Sequence, residues 1–208
     1  MSELNLTHSN GNKVKLTTPD TLAANKTFKL PGADGSSGQA MVTNGSGALS
    51  FASMPSVAGI TMMDQWSITS DNNKTNGQVI DSNWERSDYF FAQIGTGMSE
   101  SSGVFTFPQT GIYLLMGQSQ MYGSASYAGI ALRVSTDSGG SYSPLTEGYE
   151  NCSNVGGYHH VTIHGILDVT NASTFRVRLV AVNNASTQYS GSTNYLRNGI
   201  TFIRIGDT

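Results

Sequence analysis

The sequence of 208 residues has a single cysteine, Cys152, and only four histidines. One thiol excludes an intrachain disulfide and any zinc site built on several cysteines. Charge is scarce too: Asp, Glu, Lys and Arg make up 12% of the chain, against roughly 25% in ordinary soluble proteins. Exposed helices are usually dressed with Lys and Glu, so this shortage argues against a helical architecture. The formal net charge is −3, and the basic residues are scattered singly. No run of them could neutralise a row of phosphates, so nucleic-acid binding is not expected. Nor is there a stretch approaching the ~18 apolar residues of a membrane helix, and membrane insertion is not expected. The start, Met1-Ser2-Glu3-Leu4-Asn5-Leu6-Thr7-His8, lacks the apolar segment of an export signal, which points to synthesis in the cytoplasm. N-x-[ST] triplets such as Asn184-Ala185-Ser186 are then accidents of composition.

What is abundant is glycine, 24 residues, with many Ser, Thr and Asn. That composition suits short strands joined by tight turns. Residues 1–12 are polar and poorly patterned, which predicts a flexible attachment segment. From 13 to 51, brief β-like runs alternate with turn chemistry: Lys13-Val14-Lys15-Leu16-Thr17 before Pro19-Asp20, Thr27-Phe28-Lys29-Leu30 before Pro31-Gly32, and Ala40-Met41-Val42-Thr43 before Asn44-Gly45. Each run holds too few large apolar residues for one copy to bury a core, so partner chains are expected to hold this segment folded. Residues 52–60 read as a joint. From 61 to 208 the runs lengthen, as in Gly111-Ile112-Tyr113-Leu114-Leu115-Met116-Gly117 and Phe175-Arg176-Val177-Arg178-Leu179-Val180-Ala181-Val182, and a β-sandwich or jelly roll is predicted.

Two resemblances sharpen this reading. Leu22-Ala23-Ala24-Asn25-Lys26-Thr27-Phe28-Lys29-Leu30-Pro31, Asp34-Gly35-Ser36-Ser37-Gly38-Gln39 and Thr43-Asn44-Gly45-Ser46-Gly47-Ala48-Leu49-Ser50-Phe51 resemble a short shaft module of phage tail fibres and related virion proteins. The alternative is a Gly/Ser/Asn-rich linker, which rarely keeps alternating apolar pairs. Gly103-Val104-Phe105-Thr106-Phe107-Pro108-Gln109-Thr110-Gly111-Ile112-Tyr113 is similar to the G-x-F-x-x-P-x-x-G-x-Y signature of the C1q/TNF-like head. The usual C-terminal motif of that family is missing. The resemblances together imply an all-β chain, a short trimeric β-shaft followed by a C1q/TNF-like jelly-roll head, with other virion proteins bound through the N-terminal segment and location in the virion.

Strand alternation places Phe105, Tyr113, Leu115, Phe175, Val177 and Leu179 in the head core, with Phe105 and Tyr113 on neighbouring strands. Ile112, Leu114 and Met116 fall on the other face of their strand and also need cover. The C1q/TNF resemblance implies that neighbouring chains of a homotrimer supply it; a loop of the same chain is the alternative. Ser135-Thr136-Asp137-Ser138-Gly139-Gly140-Ser141-Tyr142 fits the Asp-box hairpin of sialidases, a fold element and no sign of glycosidase activity. Asp64, Asp71, Asp81, Glu85 and Asp88 read as turn and solvating residues, and Cys152 as a thiol in a polar loop, so neither enzyme nor cofactor is expected. His160 and His164 share a strand face about 13 Å apart, too far to ligate one metal unless three chains meet on an axis; an exposed polar face is the plainer reading. Tyr122, Tyr127, Tyr142, Tyr149 and Tyr158, on expected connections, are candidates for contact with a host surface glycan or protein. The function that follows is a trimeric phage appendage, a tail fibre or similar. The alternatives are a head, neck or capsid decoration protein without receptor role, a secreted C1q-like ligand-binding protein, and a carbohydrate-cleaving spike.

Overall fold

The computed structural model describes residues 3–17, 21, 23–53, 59–87, 93–152 and 157–208. The turn expected at Pro19-Asp20, Leu22 of the shaft motif, residues 54–58 of the joint and Asp88 lie outside the described residues. The chain divides into two units, Met1–Val57 and Ala58–Thr208.

The first unit consists of two hairpins. β1 (Glu3–Thr7) pairs with β2 (Lys13–Thr17), Leu4 opposite Leu16 and Leu6 opposite Val14. β1 lies within residues 1–12, expected as the attachment segment: Leu4 and Leu6 alternate with polar residues, and Gly11, at φ 87°, closes the turn. β3 (Gln39–Thr43) pairs with β4 (Leu49–Ser53). Asn44 builds their turn by accepting from the Ser46 and Ala48 amides at 2.8 and 3.2 Å. The shaft motif has a physical basis here. A Cβ on Gly47 would strike the Thr27 carbonyl, and one on Gly35 would lie 2.6 Å from the Phe51 ring. No side chain described in this unit is buried, and Phe28 and Leu30 stand exposed.

The second unit is an antiparallel two-sheet sandwich. Its strands are β5 (Met62–Ile68), β6 (Asn72–Lys74), β7 (Trp84–Arg86), β8 (Ser99–Ser101), β9 (Val104–Thr106), β10 (Gly111–Gly123), β11 (Tyr127–Ser135), β12 (Ser143–Asn151), β13 (Gly157–Val169), β14 (Arg176–Asn183), β15 (Thr187–Tyr189) and β16 (Gly199–Gly206). The first sheet runs β6-β15-β10-β16-β5-β7, with β13 on the other edge of β10. The second runs β12-β11-β14-β9-β8. β10 and β13 pair along their full lengths, from Gly111 opposite Val169 to Gly123 opposite Gly157.

Phe105, Tyr113, Leu115, Phe175, Val177 and Leu179 are all buried between the sheets. Phe105 meets Trp66, Trp84 and Phe202 with ring centroids 5.6, 5.0 and 5.2 Å apart. Phe105 and Tyr113 lie on facing sheets and not on neighbouring strands. The Pro108–Thr110 corner crosses from one sheet to the other, and the Tyr113 hydroxyl donates to the Gln109 carbonyl at 2.9 Å to hold it.

The head has two distinct ends. At one, the unit's own first residues, Gly59–Thr61, line a hollow with Arg204–Asp207, and Ile112 stands opposite Asp168 and Gly206. The far end, where β10 turns into β11 and β12 into β13, lies ten residues along β10, about 33 Å away.

Candidate functional site

The outer face of the first sheet carries the residues expected to need cover. Ile112, Leu114 and Met116 are half-buried there, alternating with buried Tyr113 and Leu115. Registers extend Leu114 into a row: Ile166 on β13, Leu114 on β10, Ile203 on β16, Met63 on β5 and Ile94 bridged to Met63. Five apolar residues from adjacent chain segments thus line up across the sheet, and Ile166 is 64% exposed. In the next row His164 stands opposite Met116, and Met116 opposite Thr201. Among the described residues no loop of the second unit roofs Ile166.

The five candidate tyrosines separate. Four lie at the far end, in two pairs. Tyr122 and Tyr158 face each other across β10 and β13, ring centroids 5.2 Å apart, on the same outer face as the apolar row. Tyr127 and Tyr149 meet at 5.4 Å on the outer face of the second sheet. Tyr142 is at the opposite end, in the hairpin between β11 and β12, under the Arg178 guanidinium at 3.7 Å. There Asp137 accepts from the Ser135 hydroxyl (2.6 Å), the Ser141 amide (2.9 Å) and the Ser141 hydroxyl (2.7 Å). These bonds hold its carboxyl at about pKa 2. The Asp-box residues therefore build a turn.

The remaining candidates take structural positions. Asp64 is no turn residue: it is fully buried on β5, where it accepts from Arg86 Nε (2.8 Å), Trp66 Nε1 (2.9 Å) and the Met98 amide (2.7 Å). Asp71 accepts from the Gly191 amide at 2.9 Å and from Gln188, and Asp81 pairs with Lys74 at 2.7 Å. Cys152 is buried against the core and not in an open loop, and burial first, then Glu150, pushes its thiol up. His160 contacts Gln120 at 3.0 Å on the exposed face. Among the described residues no three His, Cys, Asp or Glu side chains gather in one place.

Sequence reading missed Asn76, Arg133, Glu147 and Val182, which surround the Tyr127–Tyr149 pair. They come from four separate segments, and no local spacing joins them. No helix is long and apolar enough to cross a membrane among the described residues.

No protein-family model and no curated protein matches the sequence. Solved structures do match the head. Eiger TNF from S. frugiperda aligns at TM-score 0.61 and 10% identity, over 72% of this chain and 96% of that one. Murine APRIL aligns at TM-score 0.52 and 12% identity, over 69% and 98%, and again at TM-score 0.52 and 15% identity in its structure at pH 5.0, over the same shares. The head has a TNF-like jelly-roll fold.

Proposed function

We propose that the chain is a structural protein of a bacteriophage particle: a homotrimeric tail fibre or similar appendage, anchored through its N-terminal unit, whose head contacts a host surface. The observation that carries this reading is the apolar row Ile166–Leu114–Ile203–Met63–Ile94, which a second copy of the chain would cover. Two further features support it. The first unit buries no described side chain, as a shaft that folds only around partner copies would. The tyrosine pairs sit at the end of the head remote from the chain's entry into it, where an anchored appendage would point outward.

The jelly roll serves such a role as a rigid binder. Three of its candidate acids, Asp64, Asp71 and Asp81, are engaged by Arg, Trp, Gln, Lys and backbone donors, which supports a binding role over general acid and base work. Three copies would present each tyrosine pair in triplicate, so weak contacts add as avidity. The test is adsorption: purified protein should bind host cells and compete with particles, and particles lacking it should adsorb poorly. If particles without it adsorb normally and the isolated trimer binds no cells, the protein is a decoration of the particle and not its receptor-contacting fibre.

A further inference from the structure

The Tyr127–Tyr149 pair stands over a floor of unusual make-up. Tyr127, Gly129, Ala131 and Arg133 lie on the face of β11 opposite the core residues Ala128, Ile130 and Leu132; Gly129 and Ala131 are covered there, and Tyr127 and Arg133 are half-buried. Gly129 faces Tyr149 on one side and Val182 on the other, and Ala131 faces Glu147 and Val180. A Cβ at Gly129 would collide with the Gly148 carbonyl and lie 2.5 Å from Tyr149 Cα, so glycine is what lets β12 close in and set the Tyr149 ring above the strand. The result is a hollow of about 420 Å³ lined by Asn76, Tyr127, Arg133, Glu147, Tyr149 and Val182. A second hollow, of about 400 Å³, adjoins it through the shared walls Asn76 and Tyr127 and extends to Asn184. The two hollows thus share one wall, and together they are the groove.

We propose that this groove binds a neutral hexopyranose chain, an assignment that rests on the receptor-contact reading above and names its ligand class. Tyrosine faces carry negative charge density and attract the weakly positive C–H face of a sugar ring. Hydroxyls flanking that face need donors and acceptors side by side. Arg133 supplies donors, Glu147 acceptors and Asn76 both. Arg133 and Glu147 cancel in charge, which disfavours a uronic or sialic acid and suits an uncharged sugar. A peptide fits poorly. β11 is paired on both edges, to β12 and β14, over this stretch, so the floor has no free backbone groups for strand addition. The groove also lies on the sheet opposite the apolar row, and trimer formation through that row leaves it open.

Saturation-transfer NMR on the full-length protein with maltohexaose, cellohexaose and chitohexaose, and with hexagalacturonate as the charged comparison, tests the assignment. At least one neutral oligosaccharide should receive transfer at its ring C–H protons, and hexagalacturonate none. Tyr149→Ala, at a residue 61% exposed, should weaken binding about tenfold, the effect of losing a central aromatic contact. Glu147→Gln, which removes little packing, should weaken it without a change in melting temperature, and Tyr195→Ala, at an exposed residue before β16 that lines neither hollow, should leave it unchanged. Transfer to none of the neutral probes at millimolar concentration overturns the proposal, as does binding that survives both groove variants or falls equally with Tyr195→Ala. Host-cell adsorption by the same variants separates the two readings. Sugar binding through Tyr149 without adsorption sinks the receptor role and keeps the groove, whereas full adsorption by Tyr149→Ala keeps the receptor role and places it outside the groove.

Discussion

Asp64 illustrates how single residues fix this fold. Its carboxylate is fully buried, yet it has a guanidinium, an indole N–H and a backbone amide aimed at it. Arg86 in turn stacks on the Trp66 ring at 4.6 Å and donates to the Met98 carbonyl at 2.7 Å. The cluster ties β5 to β7 and to the loop before β8. Asp64→Ala should cost about 2–4 kcal/mol, because it leaves Arg86 uncompensated and two buried donors without acceptors; urea unfolding measures it. Tyr189 is a second such residue. Its hydroxyl donates to the Gly129 carbonyl at 2.9 Å and accepts from Asn183 at 3.2 Å, and burial pushes its pKa up to about 12. A raised acid stabilises the fold while it stays neutral. That stability is fully present below the ordinary tyrosine value of about 10 and is lost as pH rises toward and through about 12. Tyr189→Phe should therefore be less stable by about 1–3 kcal/mol at neutral pH and lose less stability than the parent between pH 9 and 12. Parallel denaturant curves across that range decide it.

At the scale of elements, the strands with strong apolar patterning were legible and those without it were not. β10, β13, β14 and β16 show themselves because large apolar residues recur every second position, or fill both faces. β5 hides because Asp64 and Gln65 break its pattern, and their partners Arg86 and Thr201 lie far off in sequence. β12 hides because Pro144, Glu147 and Gly148 read as turn chemistry; only its pairing with β11 makes it a strand. The core residues followed from alternation, whereas the groove did not, since only the pairing of β11 with β12 brings Arg133 and Tyr127 beside Glu147 and Tyr149. The proposed shaft would show the same dependence at larger scale. No side chain described in its two hairpins is buried, and isolated hairpins are marginal in water. Residues 13–51 expressed alone should lack dispersed amide NMR signals, while 60–208 should fold by itself; a folded, monomeric 13–51 fragment would refute the shaft reading.

For the whole molecule, the decisive feature is the asymmetry of the first sheet. One face packs the aromatic core, and the other carries a row of apolar residues ending in the exposed Ile166. A lone sandwich has no use for such a row on a solvated face, which ordinarily alternates to polar residues. A closed trimer does, and it leaves the far-end tyrosines of the second sheet free. Placing a charge in the row should be severe, because each copy would then bury it unpaired. The most direct measurement is light scattering of the purified chain at micromolar concentration, alongside Leu114→Glu. The expected result is a stable species of about 66 kDa, three times the 22.1 kDa chain, which Leu114→Glu dissociates or unfolds. A well-folded monomer of 22.1 kDa with the same melting temperature in both proteins would contradict it.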